Sequence, residues 1–264
     1  MSPTPIESVR AVNAEGVLLL GGGRALLMQV AHPLVARGVA DHSDFRRDRL
    51  GRLLRTLRPM YAIAFGTPEE VRAATEGVRA AHRHVRGAGY RADDPALLAW
   101  VLATLIDTSL LMHRRFIGPL GEAEAEAYYA GMAEVGVALG MPREALPPRL
   151  AGFDAYVAET VATLEVGDAA RAIARELFAP VPGAPWLTLA MPAARALTAG
   201  LLPPRLRAPY ALPWGPRREA LLATVARATR VLRPTLPDHL VAPPGWLLPA
   251  SCPRAEVRTV SRAT

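Results

Sequence analysis

The sequence predicts an all-α fold, a single-domain multi-helix bundle that is globin-like in character and carries a Pro-rich C-terminal strap. The first observation is composition: 51% of the 264 residues are hydrophobic but only 6% are aromatic. Leu, Ala and Val must therefore fill most of the core, which favours packed helices over a β-sandwich. The second is a repeated helix-start signal, a capping residue followed by proline, at Thr67-Pro68 and Asp94-Pro95. No internal repeat, linker or convincing strand interrupts residues 1–264, with a core at about 10–245 and a tail at about 235–264.

Periodicity and breaker residues divide the chain into predicted helices. Their approximate bounds are 6–40 with a break at Gly21–Gly23, Asp44–Phe65, Pro68–Arg86, Pro95–Ile117, Glu122–Leu139, Arg149–Leu164, Asp168–Phe178 and Arg217–Leu232. Ser43 is expected to cap the second of these helices. The helix that begins at Pro95 is the most apolar and is expected at the centre. The triple glycine lacks the spacing of a dinucleotide-binding loop, so close helix packing is its expected purpose. Prolines between 180 and 204 predict short helices there, followed by an extended C-terminal strap.

Composition also excludes several classes of chemistry. All 31 basic residues are arginine, so no lysine Schiff base can form. The net charge is +7, but the arginines are spread along the chain and alternate with acids, so we expect no nucleic-acid binding. A lone Cys252 excludes an internal disulfide, a Cys-rich zinc site and an iron–sulfur cluster. The polar N-terminus resembles no signal peptide, and the glycines break the apolar stretch 17–31; we expect a cytoplasmic protein without stable membrane insertion.

The helix predicted from Pro68 carries the most informative histidine. Its apolar stripe consists of Val71, Ala74, Val78, Ala81 and Val85. At about 100° per residue, His82 projects beside this stripe and His84 projects away from it. Arg79 and Arg86 lie within one turn of His82 and are expected on its face. Such an arrangement fits a heme pocket, with His82 on the iron and the arginines paired to propionates. The alternative is a hydrogen-bonded core histidine with surface arginines.

Two further groups of polar residues border apolar helix faces. Arg52, Arg55 and Thr56 lie together on the preceding helix, either along the open side of a cofactor or on an ordinary solvated face. Asp107 lies inside the most apolar helix, where a carboxylate is costly unless it is paired. A structural ion pair with a neighbouring arginine is expected there in preference to a catalytic role.

Seven stretches of the sequence form an ordered set between about residues 10 and 245. They are Gln29–Pro33, Val39–Phe45, Arg52–Thr56, Tyr61–Gly66, Val78–Gly87, Trp100–Asp107 and Gly200–Pro203. Together they resemble the family of heme-dependent oxygenases that includes the rubber oxygenases and the MpaB-type oxygenases, in its short bacterial form. Each motif alone is weak, and the order of the set makes the resemblance specific.

This resemblance implies an all-helical protein that holds heme b and acts with dioxygen on an organic substrate. By the matching positions, His82 corresponds to the proximal iron ligand and Arg79 to the arginine one turn before it. Arg52, Arg55 and Thr56 correspond to the arginine, lysine and threonine of the distal side in rubber oxygenases. The expected catalytic residues are thus Arg52, Arg55 and Thr56, and the expected heme-binding residues are His82, Arg79 and Arg86, with His82 as the metal ligand.

The sequence departs from that pattern in three places. Arg55 stands at the lysine position and cannot deprotonate. The stretch 34–40 holds no acid to match the catalytic glutamate of rubber oxygenases, and Leu102 stands where short relatives carry histidine. The missing acid argues against C=C cleavage by the rubber mechanism. The sequence also shows neither the secretion signal of rubber oxygenases nor the membrane anchor of the fungal MpaB type, so we expect a small apolar substrate instead of a polymer or a membrane-bound one. An electron donor and a homodimer are possible further partners. A heme-binding sensor or carrier without turnover, and a metal-free protein that binds a hydrophobic ligand, are the alternatives.

Overall fold

Helices account for nearly all regular structure in the computed structural model, which describes residues 3–42, 49–181 and 184–252. The α-helices are α1 (Pro5–Asn13), α2 (Gly22–Ala31), α3 (Pro33–His42), α4 (Arg49–Phe65), α5 (Pro68–His84), α6 (Pro95–Phe116), α7 (Glu122–Ala138), α8 (Leu150–Thr163), α9 (Asp168–Leu177), α10 (Pro185–Leu201), α11 (Pro204–Arg207), α12 (Pro216–Leu232) and α13 (Asp238–Val241). Four 3-10 helices span Gly16–Gly21, Arg143–Ala145, Arg233–Thr235 and Gly245–Leu247. The predicted all-α fold is confirmed.

Helix starts agree best with the sequence, because their signals are local. The Thr67 hydroxyl accepts a hydrogen bond from the backbone N–H of Glu70, and the Glu70 carboxylate accepts one from the Thr67 N–H at 2.9 Å. Asp94 accepts from the N–H groups of Ala96 and Leu97 at the start of α6. The predicted cap Ser43 lies outside the described residues.

Three predictions about secondary structure are wrong. The first is the absence of strands: β1 (Arg86–Gly87) and β2 (Tyr90–Arg91) form a short antiparallel hairpin. The second is the segment of short helices, since α10 continues for 17 residues through the exposed Pro192, where water can solvate the carbonyl left without an N–H partner. The third is the extended conformation of the C-terminal strap, because its described part contains short helical turns at Arg233–Thr235, Asp238–Val241 and Gly245–Leu247 and buries Leu247. Residues 253–264 of the predicted strap lie outside the described residues.

Helix α6 occupies the centre, as its apolar sequence predicts. It packs against α1, α2, α7, α8 and α12. Trp100 is buried and donates through Nε1 to the carbonyl of Met28 at 3.2 Å, which ties α6 to α2. By length and composition α6 could cross a membrane, with a mean hydropathy of 1.7, and half of that stretch is buried inside the protein. The bent pair formed by α1 and the segment Gly16–Ala31 passes the same test as one span.

The glycines at the start of α2 permit the close packing that the sequence predicts. A Cβ atom on Gly21 would lie 2.7 Å from Thr108 Cγ2, and one on Gly23 would lie 2.3 Å from Thr198 Oγ1. Both distances are far shorter than a van der Waals contact. Glycine at these two positions therefore lets α2 approach α6 and α10.

The close approach of α2 to α6 also places the partner of Asp107. The guanidinium of Arg24 binds the Asp107 carboxylate at 2.5 Å and also donates to Thr108 Oγ1 at 2.6 Å and to the carbonyl of Leu201 at 2.8 Å. The predicted structural ion pair is confirmed, and it joins α2, α6 and the end of α10.

Candidate functional site

Helices α4 and α5 form a hairpin and pack against each other. Arg52 lies thirteen residues before the end of α4 at Phe65, and His82 lies fourteen residues after the start of α5 at Pro68. Because both helices rise by the same distance per residue, His82 comes level with Arg52 near the open end of the hairpin. The turn between the helices thus brings the predicted iron ligand and the predicted distal residues to one end of the same structural unit.

His82 lies within the half-buried side of α5. This side comprises Val71, Thr75, Val78, His82 and Val85, at spacings of three and four residues. The sequence predicted Ala81 within the buried stripe and His82 beside it. In the structure Ala81 is exposed, and His82 lies within the half-buried side instead. The prediction that His84 faces solvent is confirmed. No residue of α5 is fully buried although the helix is amphipathic, so its apolar side is only partly covered.

The His82 imidazole has the properties of a neutral ligand. Its Nδ1 atom is buried and has no hydrogen-bond partner within the described part of the chain. Burial lowers the pKa of His82, and the negative charge of Asp93 opposes that shift. Asp93 is held by a bidentate pair with Arg91, both contacts being 3.0 Å. The ring is therefore neutral at pH 7 and can offer a lone pair to a metal.

Arg52, Arg55 and Thr56 lie together on α4. Arg52 is half-buried, and its pKa is lowered by burial and by the neighbouring positive charge of Arg55. Arg55 and Thr56 are exposed, and the Thr56 hydroxyl donates to the Arg52 carbonyl at 3.1 Å. This end of the hairpin therefore concentrates positive charge and N–H donors, which suits an anionic or electron-rich ligand.

The two arginines expected beside His82 differ in position. Arg79 is exposed on α5 and passes close to the turn after α7, since a Cβ atom on Gly140 would lie 3.8 Å from its Nε. Arg86 lies beyond the end of α5, in β1, so the helical spacing that related it to His82 does not apply. Its Nε and Nη2 atoms donate to the carbonyl of Arg83 at 2.9 and 2.5 Å. Arg79 thus shares the helix with His82, whereas Arg86 lies on the strand and its guanidinium turns back to Arg83.

The hairpin β1–β2 fixes the chain directly after His82. The Tyr90 hydroxyl donates to Asp41 at 2.7 Å, and the Tyr90 ring packs over Gly87, where a Cβ atom would lie only 2.6 Å from it. His42 contacts the carbonyl of Arg86 through Nε2 at 3.0 Å. These contacts tie the end of α5 to the end of α3 and so hold His82 in place.

His32 is a candidate that the sequence reasoning left without a role. It lies between α2 and α3 and is half-buried, and its Nδ1 atom is buried without a partner among the described residues. Burial lowers the pKa of His32, opposed by the charge of Asp94, the residue after the Asp93 that acts on His82. Both histidines therefore lie near the acids of the turn before α6. The signal in the sequence was the motif Gln29–Pro33, which contains His32.

Two of the departures from the family pattern have a structural context. Leu102 is buried, and a Cβ atom on Gly136 would lie 2.5 Å from its Cδ2, so this position packs α6 against α7. The acid nearest to the stretch 34–40 is Asp41, which already accepts the hydrogen bond from Tyr90. Leu102 thus supplies no polar group, and the Asp41 carboxylate is engaged by Tyr90 of the β1–β2 hairpin.

The residues present fit a heme better than a metal ion bound by side chains alone. Among the described residues, no group of three or more His, Cys, Asp and Glu side chains could hold a metal ion. Heme iron takes four nitrogens from the porphyrin and needs only one or two protein ligands. A partly covered apolar helix side, an unpaired neutral imidazole within it and nearby guanidinium groups meet that need.

The chain belongs to the family described as ER-bound oxygenase mpaB/B'/rubber oxygenase, catalytic domain, whose model matches residues 9–233. Two curated relatives, an uncharacterized protein of Mycobacterium bovis and one of Mycobacterium tuberculosis, are each 32% identical to it over 223 residues. The alignments cover 78% of this chain and 87% of each relative. No solved structure matches the chain significantly. The family that the ordered motifs suggested is confirmed.

Proposed function

We propose that this protein is a heme b-dependent oxygenase that acts with dioxygen on a small apolar organic substrate. Membership of the oxygenase family supports the reaction class. The observation that carries the cofactor assignment is His82: its neutral imidazole has an unpaired buried nitrogen and lies within the partly covered apolar side of α5. The leucine- and alanine-rich composition supports an apolar substrate.

The proposed roles follow from the chemistry of each side chain. His82 holds the iron as a neutral ligand, and Arg79 and Arg86 neutralise the propionates. Heme, when bound, supplies the ferrous iron that activates dioxygen. Arg52 and Arg55 stay protonated, so they act as hydrogen-bond donors and fixed positive charges toward the dioxygen side and not as bases. An external electron donor would keep the heme iron in its ferrous state.

A heme-binding sensor or carrier without turnover is the second candidate. Two observations favour it: Arg55 replaces the lysine of rubber oxygenases, and the acid nearest to the missing glutamate, Asp41, is engaged by Tyr90. A metal-free protein that binds a hydrophobic ligand is the third candidate, and it requires His82 to be a structural histidine. The three candidates differ in heme uptake and in dioxygen consumption.

Absorption spectra of hemin-reconstituted protein test the cofactor assignment. We expect a Soret band that shifts after reduction with dithionite and shifts again with carbon monoxide. His82→Ala should lose most of the bound heme because it removes the protein ligand. His84→Ala is the matched control, since this exposed histidine lies two residues further along the same helix. Full heme content in His82→Ala, or no uptake of hemin by the wild-type chain, would contradict the assignment.

Dioxygen consumption then separates an oxygenase from a sensor. The reduced heme protein is supplied with a panel of small apolar substrates, and products are analysed by mass spectrometry after reaction with isotopically labelled dioxygen. Incorporation of the label supports the oxygenase, and Arg52→Gln should slow it without loss of heme. Reversible dioxygen binding without any labelled product would favour the sensor or carrier.

A further inference from the structure

Helix α12 is attached to the protein by one narrow side. Leu222 and Ala226 are its buried residues, and they belong to a small apolar cluster that includes Met112 and Phe116 of α6. Most of the other residues of this helix are exposed. The side that carries Leu222 and Ala226 thus attaches α12 to the protein. The rest of the surface of this helix is uncovered.

A second apolar surface lies on the exposed side of α12, and we call it the outer face. It consists of Leu221, Val225, Ala228, Val231 and Leu232. The exposed fractions of the two leucines are 65% and 53%, and those of the two valines are 47% and 68%. At about 100° per residue, these five side chains fall within an arc of about 120° that excludes both buried residues. Packing within the core does not account for an exposed helix face with five apolar side chains.

Arginines border the outer face, and none of them forms an ion pair with an acid in the described part of the chain. Four exposed arginines lie on α12. Arg217, Arg218 and Arg227 border the outer face, whereas Arg230 donates to backbone carbonyls at the end of α6. The sequence of α12 contains one acid, Glu219, which binds the Arg115 guanidinium and accepts from Trp214 Nε1 at 2.7 Å. The exposed surface of this helix is therefore both apolar and strongly cationic, and its occupant should be apolar and anionic.

Two more exposed leucines follow the end of α12. The next turn is anchored to the core, because Arg233 forms an ion pair with the buried Glu15. Beyond this anchor Leu236 and Leu240 are exposed, with exposed fractions of 36% and 63%. Exposed leucines spread along α12 and the segment after it suit a broad binding surface better than a narrow groove.

The outer face lies far from the candidate heme site. Helix α12 contacts the C-terminal end of α6 through Arg115, whereas His82 lies near Asp93, in the turn that precedes α6. Helix α6 has 22 residues, so about 30 Å separates these two ends. The outer face is therefore no part of the site already described. A second copy of the chain is a poor occupant, since it would bring the arginines of two α12 helices together.

We propose that the outer face of α12 binds the anionic surface of a lipid bilayer peripherally. Leucine and valine side chains enter the boundary between headgroups and acyl chains, and the arginines contact the anionic headgroups. The bilayer is a broad apolar and anionic surface, and it requires no groove in the protein. This mode of contact keeps α12 parallel to the membrane and leaves α6 in the protein core.

Flotation of the full chain with lipid vesicles tests this proposal. The vesicles contain phosphatidylcholine with about one third phosphatidylglycerol, or phosphatidylcholine alone, at low salt. We expect binding to the anionic vesicles and little to the neutral ones. The double variant Leu221→Gln/Leu232→Gln should bind at least tenfold more weakly. Arg217→Gln/Arg227→Gln should bind roughly 25-fold more weakly, at about fivefold per arginine.

Leu189→Gln is the matched control, because Leu189 is 83% exposed on a different helix, α10. Its binding should equal that of the wild-type chain, and circular dichroism should show the same thermal unfolding for every variant. Absence of binding to anionic vesicles would overturn the proposal, as would equal binding by the α12 leucine variant. A concentration-dependent dimer in ultracentrifugation that disappears in Leu221→Gln/Leu232→Gln would instead assign the outer face to a second copy of the chain.

Discussion

Replacement of Asp107 by alanine should destabilise the fold by about 2–4 kcal/mol. The side chain of Arg24 is 5% exposed and that of Asp107 is 22% exposed. Without the carboxylate, Arg24 keeps its hydrogen bonds to Thr108 and Leu201 but loses its counter-charge inside the core. Removal of one partner from a buried pair costs about 3–5 kcal/mol, and the partial exposure of Asp107 lets water offset part of that cost.

Urea unfolding followed by circular dichroism measures this change. Thermal unfolding should show the same change, since a loss of about 2–4 kcal/mol lowers the melting temperature of a chain of this size by roughly 4–16 °C. Glu69→Ala is the control, since it removes the carboxylate of an ion pair with Arg72 whose side chains are 73% and 64% exposed. That variant should change stability by less than about 0.5 kcal/mol. An Asp107→Ala variant as stable as Glu69→Ala would refute the structural role assigned to the pair.

Two further predictions test the packing of α2 and the buried histidine of α6. Gly23→Ala should destabilise the protein by about 1–3 kcal/mol, because its Cβ atom would clash with Thr198. Gly22→Ala, which meets nothing within 4 Å, should be neutral or stabilising by up to about 1 kcal/mol; similar urea midpoints for the two variants would contradict this account. Burial lowers the pKa of His113 in the folded state, so its unfolded form binds a proton more readily. The free energy of unfolding should therefore be highest above the unfolded pKa of about 6.5 and should decrease as the pH falls below that value. Between neutral and acidic pH, the urea midpoint should decrease less for His113→Asn than for the wild-type chain. An identical decrease in both proteins would exclude this histidine as the cause.

The candidate site was predictable from the sequence to the extent that its geometry is helical. His82 and His84 are two residues apart on one helix, and the rotation of about 100° per residue distinguishes a half-buried from an exposed position. The same rule failed for Arg86, because α5 ends at His84 and the chain enters a strand. The rule also gave no information about Asp93, whose approach to His82 depends on the path of the chain after the hairpin.

The sequence by itself determined what depends on neighbours within about one helical turn: the all-α class, the start of α5 at Thr67 and the start of α6 at Asp94. The ordered motifs also identified the family. Only the tertiary structure decided which distant groups meet. Arg24 and Asp107 are 83 positions apart, and their contact requires the close packing of α2 on α6. The tertiary structure also decided the outer face of α12. Periodicity shows that a helix has apolar faces, but only packing decides which of them the protein covers.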